Sequence, residues 1–410
     1  MRIALLLTLI APPLAAQVDA AAAGRLRAQL DATVREERAA GIVALVLRDG
    51  EPVFEHATGM ADREAGRPMA MSTLFRIASQ SKAITTVAAL ILVERGTVGL
   101  HDPISRWLPG FASATVSEAV DSAGVAVRRL VPVRRAITVR DLMTHTAGMS
   151  YGGESWLAAA YQARGLGPAA GYGWYFADKP VGICEAVEPL AELPLAAQPG
   201  ERFVYGYATD VLGCLVERAS GMALDTFVRT HMTEPLGMHD TGFCVPESVA
   251  GRLATVYALG ADGLRRAPDG PLGQGHYVAG PCRAFSGGAG LISTARDYAR
   301  FLEMLRRGGT LDDARILSPA TVSLLTRDHV DALYRGPEFG FSLGFEVLLD
   351  PGKAGRHGAV GAYGWGGAYH TSYWVDPEHD LVAVLMVQLL PASGSQLHDR
   401  YRTMVYAMLD

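Results

Sequence analysis

Positions 42–47, Ile42-Val43-Ala44-Leu45-Val46-Leu47, form a short unbroken apolar run, and Asp49-Gly50 follows it. A run of this length closed by Asp-Gly reads as a buried strand entering a hairpin, with residues 52–57 returning as the second strand. Before it, residues 21–39 mix charged and apolar positions as an amphipathic helix does. After it, the pattern predicts a helix over 79–95, stopped by Gly96 with Arg95 in its last turn. From about 101 to 280 the pattern changes to short helical pieces, among them 139–144, 210–219 and 226–236, separated by long loops rich in Gly, Pro and aromatic residues. A helix restarts at Thr294, with Asp297 three residues on as a capping box, and stops at Gly308-Gly309. Strand patterns then cover 341–349, 367–375 and 381–388, the last two joined by the turn Asp376-Pro377-Glu378-His379-Asp380, and a helix from Gln396 closes the chain.

Two N-terminal and three C-terminal strands fit one antiparallel sheet of five strands or more, flanked by helices, with a mostly helical segment inserted between them. That is an α+β layering and not a doubly wound parallel fold. The expected organisation is a signal segment over 1–20, a sheet-containing lobe from 21–100 and 285–410, and an inserted helical lobe over 101–284. A cleft between two lobes is a natural site, and Ser79 stands at the sequence junction.

Composition narrows the function. The net charge is -5 and there is no basic block, so nucleic acid is not an expected partner. Met1-Arg2 followed by the apolar run Ile3 to Ile10 and by Ala-rich sequence reads as an export signal, cleaved after Ala16 or after Ala20. The run is too short to span a bilayer, and no later stretch is long and apolar enough, so a mature protein without stable membrane insertion is expected. Export leaves the protein periplasmic or released, an environment that permits disulfides. Of Cys184, Cys214, Cys244 and Cys282, the last two lie in loop sequence and are candidates to pair. Cys214 sits in the apolar helical run Val211-Leu212-Gly213-Cys214-Leu215-Val216 and reads as a buried small hydrophobe. No cysteine or histidine spacing suggests a metal site, and no cofactor is implied.

Candidate chemistry centres on Ser79-Gln80-Ser81-Lys82. Residues i and i+3 share a helix face, so Ser79 and Lys82 are expected neighbours, and a neutral lysine beside a serine activates it as a nucleophile. Among 37 Lys+Arg, lysine occurs only at Lys82, Lys179 and Lys353. Arginine cannot surrender its proton at working pH and a buried lysine can, which makes a lysine at this offset informative. The plainer alternative is that Ser79 only caps the helix. Gly-x-Ser-x-Gly also occurs twice, around Ser150 and Ser342. A nucleophile elbow needs a strand before it and a helix after it, and neither copy has that context, so both read as structural.

Further along come Tyr205-Gly206-Tyr207, after Gln198-Pro199-Gly200-Glu201, and Trp365-Gly366-Gly367 near the last strands. Ser79-x-x-Lys82, this tyrosine and this Trp-Gly-Gly stand in the order of the three motifs of class C serine β-lactamases and penicillin-binding DD-peptidases. The stretches 142–148, 234–238 and 287–295 also resemble that superfamily, over roughly residue 40 to the C-terminus. Within it the chain is most similar to the family VIII carboxylesterases.

The resemblance implies the β-lactamase/transpeptidase-like fold and an acyl-enzyme on Ser79, with Lys82 and Tyr205 as its activators in an unassigned order. It implies an oxyanion hole from the backbone N–H groups of Ser79 and Ala368, and a substrate wall from Trp365, Gly366 and Gly367. Two departures bear on substrate. Tyr207 stands where β-lactamases usually have Asn, and Trp365 where they have the lysine of Lys-Thr-Gly. Aromatic bulk in place of these polar groups suits a small uncharged ester. Tyr207, Tyr151 and Trp174 are further pocket candidates, the last two from an aromatic loop that lobe packing explains equally well. Asp210 is expected to cap the following helix, with orientation of the tyrosine network as its alternative, and His145 to be structural. The expected partner is a small-molecule ester. β-Lactam or D-amino-acid peptide hydrolysis is the enzymatic alternative, and a non-catalytic penicillin-recognising sensor or scaffold the alternative of another class. The natural ester and the oligomeric state are not encoded in these motifs.

Overall fold

In a computed structural model, residues 18–122, 125–168, 176–278, 280–391 and 395–409 are described. The expected signal segment falls almost wholly outside them, as does Trp174. The first apolar run becomes β1 (Gly41–Arg48) and lies inside the sheet rather than at its edge. It pairs antiparallel with β2 (Glu51–Asp62) through the Asp49-Gly50 turn, and on its other side with β8 (Leu381–Met386), in the register Val43↔Met386. With β3 (Arg67–Pro68), β4 (Phe339–Phe341), β5 (Glu346–Leu348), β6 (Tyr363–Gly366) and β7 (Ser372–Asp376), the sheet has eight antiparallel strands in the order β4-β5-β6-β7-β8-β1-β2-β3.

The unbroken apolar character of β1 has a simple cause: both of its faces are covered. Ile42, Ala44 and Val46 pack with Leu26 and Leu30 of α1 (Ala20–Arg35) and with Tyr401 and Val405 of α5 (Leu397–Tyr406). Val43, Leu45 and Leu47 face the other way, into a larger core shared with α2 (Ser81–Glu94), α3 (Ala208–Ser220) and α4 (Ala295–Arg306). Every residue of α2 from Ser81 to Leu92 is buried, as expected of a helix that is apolar on all sides. Helix α4 starts at the N-cap Thr294, whose side chain accepts from Asp297 N. Among the described residues, no helix is long and apolar enough to cross a membrane.

Some local expectations are corrected. Residues 367–375 are not one strand. Gly367 N donates to Thr371 O, His370 takes a φ of 68°, and the chain turns between β6 and β7. The stretch 341–349 likewise breaks, at the tight turn where Ser342 N donates to Phe345 O. Between the halves of the sheet lie helices and also a hairpin, Thr115–Ser122 with Val125–Pro132, that the sequence pattern did not suggest. Cys244 and Cys282 are joined. Cys214 is buried as expected but is not free: helix Ile183–Val187 lays Cys184 against α3, 4.8 Å away between Cα atoms, and the two are bonded. Apolar surroundings signal burial but do not distinguish a thiol from a disulfide.

Candidate active site

The short strand Phe75–Arg76, paired with Ile292–Ser293, delivers the chain to Ile77. Ala78 then takes a φ of 44°, a region that L side chains other than Asn and Asp seldom occupy. Such strain, of order 1–3 kcal/mol, persists only where the surroundings fix it. Ala78 is buried among Val256, Ala267 and Tyr369, with Ala368 packed on the same cluster. The turn swings Ser79, half-buried, to the head of α2. No side chain caps this helix, so Ser79 is not an N-cap.

Lys82 lies one turn on and is only 2% exposed. Its Nζ makes three hydrogen bonds: to Gly288 O at 2.7 Å, to Tyr151 Oη at 3.1 Å and to Ser79 Oγ at 3.3 Å. It also sits 4.8 Å from the centre of the Tyr205 ring, in cation–π range. The glycine-rich bend at 286–290 is stitched to α2, with Thr85 Oγ1 donating to Gly287 O at 2.8 Å and Ser81 Oγ accepting from Leu291 N at 3.0 Å. Gly288 has to be glycine, because a Cβ there would stand 2.4 Å from Asp210 Oδ2.

Asp210 is the correction to the capping expectation. It lies in the first turn of α3, fully buried, and the N-cap position there is Tyr207. Oδ1 instead accepts from Ser286 Oγ at 2.5 Å and from Gly288 N at 3.1 Å. Burial pushes its carboxyl above the usual range, opposed by Lys82 and these hydrogen bonds.

Tyr205 and Trp365 meet as the motif order implies. Trp365 Nε1 donates to Tyr205 Oη at 3.1 Å, with the rings 5.5 Å apart. His145 lies behind Tyr205 at 4.6 Å between ring centres, buried and with Nδ1 unpaired. Burial first, and then Lys82, hold its pKa well below that of free imidazole, so it is neutral. Gly367 passes so close to the turn before Ser79 that a Cβ would stand 2.5 Å from Ile77 O. This brings Ala368 beside Ala78 and Ser79, and among the described residues the Ala368 N–H makes no hydrogen bond to other backbone.

A cavity of about 440 Å³ opens here. Ser79, Tyr151, Tyr205, Trp365, Gly366, Gly367 and Ala368 line it together. Tyr207 does not, which corrects the pocket expectation for that residue. It is buried, packed edge-on against Tyr151 and Phe176, and its Oη accepts from Gly167 N at 3.1 Å. The far end carries charged groups that no motif announced. Arg335 and Arg356 share Glu346 at 3.0 and 2.7 Å, and Arg402 lies over the Trp374 ring at 4.5 Å. The serines of the two Gly-x-Ser-x-Gly copies are structural: Ser150 Oγ accepts from Gly152 N and donates to Glu154, and Ser342 is buried in its turn.

Two contacts of this site escaped the sequence. Tyr151 was one of several loop aromatics, and nothing in its spacing shows that it bonds Lys82. The partners of Asp210 lie 76 and 78 residues away. Only the glycine-rich bend hinted that something approaches there.

Comparison with known proteins agrees with this geometry. The family model described as Beta-lactamase matches residues 26–407. Esterase EstB of Burkholderia gladioli is 37% identical over 394 residues, covering 91% of this chain and 92% of EstB. Monacolin J acid methylbutanoyltransferase of Aspergillus terreus is 30% identical over 366 residues, 83% of each chain. Among solved structures, EstCE1, described as a hydrolase with promiscuous acyltransferase activity, superposes with a TM-score of 0.78 at 29% identity, over 94% of this chain and 99% of its own.

Proposed function

We propose that this chain, which belongs to the Beta-lactamase family and is a serine hydrolase of that fold, is a carboxylesterase that cleaves small, largely apolar esters through an acyl-enzyme on Ser79. The observation that carries the reading is Trp365. It walls the cavity beside Ser79 with an indole whose one N–H is already given to Tyr205. The side chain at that position carries no charge to receive a lactam carboxylate, and Arg335 and Arg356, which line the same cavity, share Glu346.

In this mechanism Ser79 Oγ attacks the ester carbonyl and Lys82 accepts its proton. The backbone N–H groups of Ser79 and Ala368 stabilise the oxyanion, a large contribution in acyl transfer. Tyr205, held by Trp365, orients the site around Lys82. Water then releases the acid.

The relatives named as acyltransferases favour a second outcome of the same intermediate, in which an alcohol replaces water as acceptor. Adding a primary alcohol to the assay and measuring ester against acid in the product separates the two. We also propose export, a reading supported by the two disulfides.

The test compares wild type, Ser79→Ala and Ser150→Ala on short-chain nitrophenyl esters and on a chromogenic cephalosporin. Esters are turned over well and the cephalosporin poorly, and Ser79→Ala abolishes both. Full activity in Ser79→Ala, with loss in Ser150→Ala, would sink the reading. A fluorophosphonate adduct seen by intact mass excludes a non-catalytic sensor, and its absence from wild type would favour one.

A further inference from the structure

We propose that Tyr151 is the phenol of the proton relay, carrying the serine's proton from Lys82 to the departing alcohol. The inference rests on the esterase reading above and assigns a residue that the three motifs do not contain.

The contacts of Lys82 are the first support. A neutral amine has two N–H groups and one lone pair. In the neutral form that activating a serine requires, Lys82 with its hydrogens on Gly288 O and Tyr151 Oη turns its lone pair to Ser79 Oγ, 3.3 Å away. All three contacts are then satisfied, and the serine O–H is the one group positioned to donate.

Tyr205 has a different connection. Its Oη accepts from Trp365 Nε1, and Lys82 lies over its ring face. Among the described residues, no hydrogen bond joins Tyr205 to Lys82 or Ser79. Tyr151 does bond Lys82, and it lines the cavity with Ser79. Burial pushes the Tyr151 phenol well above its usual range, so it keeps its proton at neutral pH. A phenol that accepts at Oη from Lys82 has its own O–H free to donate.

The protons balance. Ser79 Oγ bonds to the carbonyl carbon as its proton moves to Lys82. When the tetrahedral intermediate collapses, the carbon–alkoxy bond breaks and Tyr151 gives its proton to the alkoxide. Lys82 returns a proton to Tyr151, leaving both as they began. Water enters by the reverse path: Tyr151 takes a proton from the attacking water as it passes its own to Lys82, and Lys82 gives a proton to Ser79 Oγ as the acyl bond breaks.

General acid help matters most for a poor leaving group. The experiment therefore measures kcat/KM of wild type, Tyr151→Phe and Tyr205→Phe on an ethyl ester and a nitrophenyl ester of one acid. Nitrophenolate departs without a proton and ethoxide does not. Tyr151→Phe should lose about 100-fold on the ethyl ester, within the usual worth of a general acid, and less than about tenfold on the nitrophenyl ester. Tyr205→Phe should lose similar factors on both. Equal losses on both esters in Tyr151→Phe, or no loss on either, would overturn the proposal, and so would the split appearing in Tyr205→Phe. Phenylalanine keeps the ring packed against Tyr205 and Tyr207, and fluorophosphonate labelling of Ser79 in each variant reports an intact site. An unlabelled and inactive wild type would instead refute the esterase reading.

Discussion

Asp210 and Lys82 grip the same residue from opposite ends. The carboxylate takes the N–H of Gly288 at 3.1 Å, and the lysine Nζ gives a hydrogen bond to its carbonyl at 2.7 Å. The glycine-rich bend is therefore a spacer between a buried acid and the lysine that bonds Ser79 Oγ.

Asp210→Asn keeps an oxygen for Ser286 Oγ and Gly288 N but removes the charge that faces Lys82. Because burial holds the carboxyl above its ordinary range, the neutral amide does not lose folding free energy through desolvation. The expected result is a melting temperature within about 3 °C of wild type, a shift smaller than about 1 kcal/mol would give. The kcat should fall about tenfold or more with little change in KM, which steady-state kinetics and calorimetry on one preparation would show.

Gly367→Ala tests the close approach that aligns Ala368 with Ser79. Its Cβ would stand 2.3 Å from Thr371 Oγ1 and 2.5 Å from Ile77 O. Backbone must move, at about 1–3 kcal/mol for overpacking of this kind. Displacing one oxyanion donor predicts a loss of about 100-fold in kcat. Near-normal turnover would show that Ala368 N–H is not in the hole.

Tyr207→Phe separates packing from binding. The hydrogen bond from Gly167 N is lost, at about 1 kcal/mol. The KM for every ester should stay within about twofold of wild type. A large change in KM for bulky acyl groups would return Tyr207 to the substrate wall.

His370 predicts an acid limit to stability. Burial, and then His398, lower its pKa from 6.5 to about 4. The unfolded chain therefore binds a proton that the folded protein refuses between those values. Stability from this group is complete above pH 6.5 and is lost as pH falls toward 4, by about 3 kcal/mol if the full shift is realised. Urea unfolding at several pH values should show this slope. His370→Asn, which tolerates the φ of 68°, should flatten it. His145, also held neutral by burial, adds to the slope in both proteins.

What was legible in the sequence follows from range. β1 was visible because burial on both faces leaves no polar position in it. Ser79 and Lys82 were visible because a helix fixes the geometry of residues three apart. Tyr205 and Trp365 were reached only through motif order, since 160 residues separate them. Tyr207 was misplaced because two aromatics flanking Gly206 look alike until the turn sends one to the cavity and one into packing. Asp210 was misplaced because a carboxylate in a first helical turn is ordinarily a local capping group, and its true partners are distant. Residues 367–375 looked like one strand, while the chain turns before β7 with His370 in a conformation no pattern reports.

The place of β1 inside the sheet has a consequence for synthesis. Val43 pairs with Met386, so this strand waits for nearly the entire chain to leave the ribosome before its second neighbour exists. Contacts of such long sequence separation are slow to form. Until then β1 to β3 and β4 to β7 are separate pieces of sheet, with one flank of β1 bare. A message cut short before residue 381 would yield a product missing an inner rib of its sheet, not an edge.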